Sequence, residues 1–170
     1  MKTMTVKLHS LDYGQAKTYL AATLFIAGNM ALPQLCHLLP DGGRILLPIY
    51  FFTLLGAYKF GWKVGLLTAI LSPVLNAALF GMPAAAALPT ILVKSVLLAA
   101  IAGYAAHRTR RVTLAILAGV VLGAQAVGSL FEWAYTGSLL EAAQDFRLGA
   151  PGMLLQIVGV WAAIKYAIRG

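Results

Sequence analysis

The feature that most constrains this chain is a succession of apolar runs, each about as long as a bilayer is thick. A helix needs roughly 20 residues to cross a hydrocarbon layer of ~30 Å. Six runs that approach or reach this length lie at 15–36, 44–60, 62–81, 84–106, 112–134 and 150–168. The sequence therefore predicts an all-α membrane protein of six transmembrane helices, built as a single integral membrane domain over residues 1–170.

The composition favours the same class. With 61% hydrophobic residues, 11% charged residues and a mean hydropathy of +0.84, the chain has too little polar surface to cover a water-soluble core. The second run is the shortest and contains Pro48, so a five-span alternative stays open. Five spans would place the two ends of the chain on opposite sides of the membrane.

The basic residues argue for six spans, because in that arrangement ten of the thirteen Lys and Arg residues share one face. These ten are Lys2, Lys7, Lys17, Lys59, Lys63, Arg108, Arg110, Arg111, Lys165 and Arg169. By the positive-inside rule this face, with both termini, is cytoplasmic. Arg44 and Arg147 lie on the other face. The net charge of +8 then follows from topology and attraction to anionic lipid, and we expect no nucleic-acid partner.

Enzymatic function is not expected. The sequence has no phosphate-binding loop, no metalloprotease or hydrolase motif and no paired carboxylates within a span, so any work driven by ATP must come from other chains. The first 14 residues lack the pattern of a cleavable signal peptide. Cys36 is the single cysteine and is best explained as a small apolar filler, and its neighbour His37 makes only a weak metal pair. We expect no metal and no cofactor.

Lys94 is the residue that most strongly indicates function. It lies near the middle of the fourth predicted span, where a charge costs at least ~2.5–3.5 kcal/mol and calls for a partner or a purpose. Two explanations remain open. Lys94 either snorkels or pairs with Glu132 as a structural contact, or it faces a ligand or a water-filled cavity.

The fifth predicted span carries a polar stripe on one helical face. Gln125, Ser129 and Glu132 are spaced i, i+4 and i+7, and Trp133 follows at the outer rim. The stripe predicts a polar wall of a binding site. Interfacial anchoring of Trp133 and helix-to-helix hydrogen bonding by Gln125 are the alternatives. Asn76 in the third span is a further candidate, favoured over Gln156.

Pro48, Pro73 and Pro89 each interrupt a predicted span, and such breaks often line cavities. The longest outer connection, 135–149, mixes Asp145 and Arg147 with aromatic residues. A loop of this kind can act as a gate over a binding site.

These features together resemble the substrate-binding S component of an energy-coupling-factor (ECF) vitamin transporter. The passage LLPIYFFTLLGAYKFGWKVGLLTAILSPVLNAALFG, residues 46–81, is similar to the second and third spans of that family. The resemblance covers almost the whole chain and rests on layout more than on a sharp motif. It implies high-affinity capture of a vitamin-type molecule on the outer side of a bacterial inner membrane. It also implies partnership with a membrane coupling protein and two ATPase subunits.

The resemblance further implies a docking surface on the first span, where the family carries an Ala-x-x-x-Ala pair. Ala27 and Ala31 have that spacing, with Gly28 between them, although an intramolecular contact explains small residues equally well. Lys94 with Arg147 would favour an anionic ligand such as a carboxylate, towards which we lean, unless Asp145 neutralises Arg147. Lys94 neutralised by Glu132 would suit a neutral or zwitterionic ligand.

A different class of protein also fits the layout. The MreD cell-shape proteins are membrane scaffolds of comparable size and span number, and a scaffold needs neither a charge at membrane depth nor a gated outer loop. An intramembrane enzyme is a remote third possibility.

Overall fold

The computed structural model describes residues 8–167, and within that range the chain is helical and contains no strand. The predicted cytoplasmic residues Lys2, Lys7 and Arg169 lie outside the described residues. The α-helices are α1 (Ala16–Cys36), α2 (Gly42–Leu46), α3 (Phe51–Phe60), α4 (Trp62–Phe80), α5 (Leu88–Thr109), α6 (Leu114–Thr136), α7 (Leu139–Ala142), α8 (Gln144–Arg147) and α9 (Ala150–Ala162). A 3₁₀ turn at Pro48–Tyr50 precedes α3, and a π-helical turn at Ala163–Ala167 extends α9.

Five of these helices are long and apolar enough to cross a membrane: α1, α4, α5, α6, and α9 with its π-helical extension. They match five of the six predicted spans. The remaining run, 44–60, is broken. Leu47 adopts the left-handed conformation (φ 45°, ψ 48°) and ends α2, and Pro48 then starts the 3₁₀ turn that leads into α3. Five of the six predicted spans thus correspond to helices long and apolar enough to cross a membrane, and the run 44–60 does not form such a helix.

The broken segment still returns the chain across the bundle. Asp12 pairs with Lys63 near the start of α1 and α4, and Asn29 contacts Asn76 further along both helices, so α1 and α4 run in the same direction. Residues 42–60 connect these two parallel helices and must therefore run the opposite way. They lie alongside α9, with Leu46 next to Gly152 and Phe51 next to Gly159.

Helix α3 is the centre of the bundle. Seven consecutive residues, 53–59, are buried on every side of the helix, as expected for a helix surrounded by other helices. Close packing against α4 depends on a glycine, because a Cβ at Gly65 would lie 2.3 Å from the Cβ of Ala57. Helices α1, α4, α5 and α9 all contact α3, which is why a short helix can hold the core together.

One end of the bundle, here called the sealed end, is closed by the segment 8–15 and the connections 60–62 and 109–113. The backbone N–H groups of His9 and Leu11 donate to the carbonyls of Lys59 and Phe60, and the Tyr58 hydroxyl donates to the carbonyl of Arg111 at 2.6 Å. The described basic residues of the predicted cytoplasmic face gather at or near this end. They are Lys17, Lys59, Lys63, Arg108, Arg110, Arg111 and Lys165.

One of the three prolines predicted to interrupt a span, Pro89, lies at a helix start instead. Pro73 lies inside α4, and Pro48 lies at the break before α3. Pro89 does not interrupt a helix, because α5 begins only at Leu88 and Pro89 occupies its first turn, where the missing N–H has no helical partner to lose.

Candidate functional site

The opposite end of the bundle contains a buried cluster of three charges, here called the Lys94 triad. The Nζ atom of Lys94, on α5, lies 2.5 Å from Oε2 of Glu132 on α6 and 2.7 Å from Oδ2 of Asp145 on α8. The lysine side chain is 4% exposed and each carboxylate 18% exposed. Since an unpaired charge at this depth is costly, the two carboxylates explain how Lys94 is tolerated.

A glycine on α6 makes room for the lysine. A Cβ at Gly128 would lie 2.4 Å from Cγ of Lys94, so the lysine stem passes directly over this position. Gly128 is one turn before Glu132 on the same helix, which places the carboxylate where the stem ends. The stem packs on α6 at Gly128, and the ammonium reaches the carboxylate beyond it.

The triad borders a cavity of about 890 Å³ that opens at this end of the bundle, here called the cavity end. Its wall is built from the end of α1, the segment 38–50, the connection between α4 and α5, and the segment around α7 and α8. The polar residues of the wall are Gln34, His37, Asp41, Arg44, Tyr50, Asn76, Thr90, Lys94, Glu132, Glu141, Gln144 and Asp145. The volume falls within the usual range of roughly 300–1,000 Å³ for small-molecule sites.

The charges of this wall are unbalanced. Four carboxylates face two cations, Arg44 and Lys94, so the wall carries a formal excess of two negative charges with His37 counted as neutral. Asp41, Arg44 and Glu141 are exposed at the mouth of the cavity, whereas the Lys94 triad is deep. The net formal charge of the wall is therefore negative, which favours cations over anions in the cavity.

Asn76 is held by a ladder of buried polar side chains between α1, α3 and α4. Its Nδ2 donates to the carbonyls of Asn29 and Ser72, both at 3.0 Å, while Asn29 donates to Thr53 and Ser72. Asn76 is only 1% exposed, and its Oδ1 has no hydrogen-bond partner among the described residues. That oxygen belongs to a residue of the cavity wall.

Gln125 lies deeper than the large cavity. It borders a second void of about 10 Å³, enough for roughly one water molecule, which it shares with Tyr50, Lys94 and Gln156. Within residues 8–167, Oε1 of Gln125 and Oγ of Ser129 are buried without a hydrogen-bond partner. The predicted polar stripe therefore has Glu132 at the large cavity and Gln125 at the void beneath Lys94, and Ser129 lies between them on α6.

Two predicted site residues lie elsewhere. Trp133 is 48% exposed on the outer surface of α6, and Arg147 is exposed at the end of α8. Neither belongs to the cavity wall. Asp145 contacts Lys94 rather than neutralising Arg147, because the turn of α8 directs it back to α5.

The three small residues of α1 are divided between two faces. Gly28 faces Phe52, whose ring would lie 2.7 Å from an added Cβ, so it packs inside the bundle. Ala27 and Ala31 are exposed, on the same face as Leu24 and Leu35. The pair with the expected spacing is thus available to a lipid or a partner helix, and Gly28 is not.

Sequence reasoning missed several wall residues. Tyr50 is 3% exposed and borders both the large cavity and the small void, but it sits in an apolar run with no periodic signal. Asp41 and Glu141 also belong to the wall, as does Arg44, which was predicted only to lie on the outer face. The position of these residues relative to the apolar runs predicts on which side of the membrane they lie. It does not predict which of them line the same cavity.

The deep polar groups of the site can interact with a ligand. Among residues 8–167 there is no group of three or more His, Cys, Asp or Glu residues placed to hold a metal ion. The deep polar atoms are a paired lysine, two carboxylates and an amide oxygen, which together offer charge and hydrogen bonds to a ligand.

The fold and the site define a helical bundle, with the composition of a multi-pass membrane protein, that has a polar cavity open at one end. The sequence matches no protein-family model, and neither curated protein sequences nor solved structures gave a significant match.

Proposed function

We propose that this protein is the high-affinity substrate-binding subunit of an importer of the ECF type, with a vitamin or related micronutrient as substrate. The observation that carries the proposal is the cavity of about 890 Å³ that reaches the Lys94 triad from one end of the bundle. A small molecule can enter there and meet polar groups that are fixed before it arrives, which is the usual arrangement of a tight binding site.

The proposed orientation places the cavity end outside a bacterial inner membrane. The chain crosses six times, with residues 42–60 as the broken second span, and both of its ends are cytoplasmic. The support is the charge distribution, since Lys17, Lys63 and the arginines of 108–111 lie at the sealed end. Substrate then enters from the side that is poor in cations.

Transport requires partners in this proposal. The chain has no nucleotide-binding motif, so a membrane coupling protein and two ATPase subunits would supply the energy. The exposed face of α1 around Ala27 and Ala31 is the proposed docking surface, because small side chains let a partner helix approach closely. Toppling of the subunit in the membrane would then carry the substrate inward.

The test is native mass spectrometry of protein purified gently from cells grown in rich medium. We expect a vitamin-sized molecule bound at about one per chain, and we expect Lys94→Ala, which takes the triad apart, to change the amount retained. Lys63→Ala, which removes an exposed lysine at the sealed end, is the matched control and should retain the molecule. A folded protein that is empty under these conditions would contradict the proposal.

One observation favours a second candidate, a non-transporting scaffold similar to the MreD proteins. Lys94 is already paired with two carboxylates, as a lysine with a purely structural role would be. A scaffold would retain no small molecule, and cells carrying Lys94→Ala would show unchanged uptake of any micronutrient but altered shape or partner assembly.

A further inference from the structure

We infer that the cavity takes a small organic cation with N–H donors, such as an ammonium or amidinium compound, rather than a carboxylate. This inference rests on the proposed function and specifies the chemistry of its substrate. It replaces the anionic ligand that an isolated lysine in a span had favoured. The reason lies in which polar atoms of the cavity are already paired.

Lys94 is not available to an anion. Its ammonium contacts Glu132 and Asp145 at 2.5 Å and 2.7 Å, so an incoming carboxylate would have to displace one of them from a largely buried site. The displaced carboxylate would then lie next to the ligand, with the same sign of charge. Both effects oppose anion binding.

Around the Lys94 triad the atoms that lack partners are acceptors, whereas elsewhere in the wall Nε2 of Gln34 is a buried donor without a partner among the described residues. Lys94 uses only Oε2 of Glu132 and Oδ2 of Asp145, and no hydrogen bond from a described residue reaches Oε1 of Glu132 or Oδ1 of Asp145. Oδ1 of Asn76, buried in the same wall, is also without a donor. An amide oxygen held this firmly is left unsatisfied unless a ligand or water donates to it.

The net charge of the whole wall also favours a cationic ligand. Its excess of two negative charges attracts cations to the mouth, and Glu141 and Asp41 continue that attraction outside the triad. Among residues 8–167, the only cation of the wall besides Lys94 is Arg44, which is exposed at the rim of the cavity. A bare metal ion fits less well, because the acceptors line a space the size of an organic molecule and form no metal cluster within the described chain.

The experiment uses the full chain in nanodiscs of phosphatidylglycerol, a lipid without an amine, so that no lipid ammonium group competes. Three probes of similar size and different charge are compared at equal concentration and ionic strength: benzylamine, benzyl alcohol and benzoate. Ligand-observed NMR gives the affinities. We expect benzylamine to bind most tightly and benzoate least tightly.

Substitutions test which carboxylates are responsible for the binding of benzylamine. Asp145→Asn keeps the Lys94–Glu132 pair, so the fold is retained, and it should weaken benzylamine binding roughly 10- to 100-fold, the range for hydrogen bonds to charged groups. Glu132→Gln, which keeps the Lys94–Asp145 pair, is the second variant and should act in the same direction. Asp12→Asn removes a carboxylate at the sealed end and should change nothing, and nanodiscs of the same lipid without protein control for probe that partitions into the anionic bilayer.

The outcomes separate the two proposals. Tighter binding of benzoate than of benzylamine, or an equal effect of Asp12→Asn and Asp145→Asn, would overturn the cationic ligand. So would an anionic molecule released from purified protein, although that result would support the proposed function. Repeating the benzylamine titration in phosphatidylethanolamine nanodiscs distinguishes a free amine from a lipid headgroup. Competition by this lipid would confirm the cationic chemistry and name the headgroup as its source.

Discussion

The two ends of the bundle each contain a lysine paired with carboxylate, and the comparison shows how burial changes the role of the same chemistry. At the sealed end Lys63 contacts Asp12 with 23% and 66% of their side chains exposed. At the cavity end Lys94 is 4% exposed and contacts two carboxylates. An exposed pair is screened by water and contributes little, whereas a buried one cannot lose a partner without leaving a charge in a medium of low dielectric constant.

The ends also differ in what closes them. The sealed end is joined by backbone hydrogen bonds and by Tyr58, which tie three connections together. The cavity end has a left-handed Leu47, two short helices and an open volume. A binding site needs polar groups without partners and space to reach them, and among residues 8–167 the cavity end has both.

The largest effect is expected from Lys94→Ala. It leaves Glu132 and Asp145 close together and without a cation, and breaking a buried ion pair costs about 3–5 kcal/mol. Chemical denaturation in detergent measures the loss, and we expect a value near the lower end because both carboxylates retain some contact with water. Lys63→Ala should cost less than about 1 kcal/mol. Equal losses at the two ends would contradict the comparison.

The next effect is expected from Gly128→Ala, which puts a methyl group where the stem of Lys94 passes. Overpacking of this kind costs roughly 1–3 kcal/mol and should also disturb the triad, so binding and stability should fall together. Gly123→Ala on the same helix is the matched control. Nothing lies within 4 Å of a Cβ at Gly123, and the alanine should leave thermal stability unchanged or slightly higher. A similar loss in both variants would rule out a specific role of Gly128.

A smaller effect is expected from Tyr58→Phe at the sealed end. It removes the hydrogen bond to the carbonyl of Arg111 and should cost about 0.5–1.5 kcal/mol of unfolding free energy, without changing ligand affinity. Tyr104→Phe, at an exposed position of α5, serves as the control and should have no effect. Weaker binding in Tyr58→Phe would show that the two ends are coupled.

The smallest effect concerns the pH dependence of the sealed end. The hydrogen bond from Lys63, followed by that from the N–H of Tyr13, lowers the pKa of Asp12 below its ordinary value of 3.8. Because the pKa of Asp12 is lower in the folded state than in the unfolded state, its ionised form stabilises the fold at any pH above the ordinary pKa. This stabilisation is lost as the pH falls through the pKa of the folded state. Thermal scans in acid should show this loss in the wild type and not in Asp12→Asn, and added salt should reduce it. If the thermal stability of the two proteins changed identically in acid, the pH dependence could not be assigned to Asp12.

Much of the fold could be predicted from local sequence. The apolar runs predicted α1, α4, α5, α6 and α9, since hydropathy over some 20 residues reports whether a segment prefers lipid. Pro48 marked the weak second run, but no local signal indicates that Leu47 would adopt the left-handed conformation next to it. The start of α5 was placed four residues early, because 84–87 are as apolar as the helix that follows.

The candidate site was less predictable. Lys94 and Glu132 could be singled out because charge is rare within apolar runs, and Asn76 for a similar reason. Asp145 was assigned to a gate loop, and its contact with Lys94 spans 51 positions of sequence. Tyr50 was missed, since an aromatic residue in an apolar run is ordinary. Trp133 and Arg147 were suggested by residue type and by their neighbours in sequence, and both are exposed and lie outside the cavity wall.

By itself, the sequence determined which segments are long apolar helices and which face of the bundle collects the basic residues, because both depend on the local balance of water and lipid. The tertiary structure decided what Lys94 contacts. The approach of α6 at Gly128 and the turn of α8 bring two carboxylates to one ammonium, and the polar ladder leaves one oxygen of Asn76 without a partner. The sign of the cavity's charge follows from these contacts between distant segments, and no local pattern encodes it.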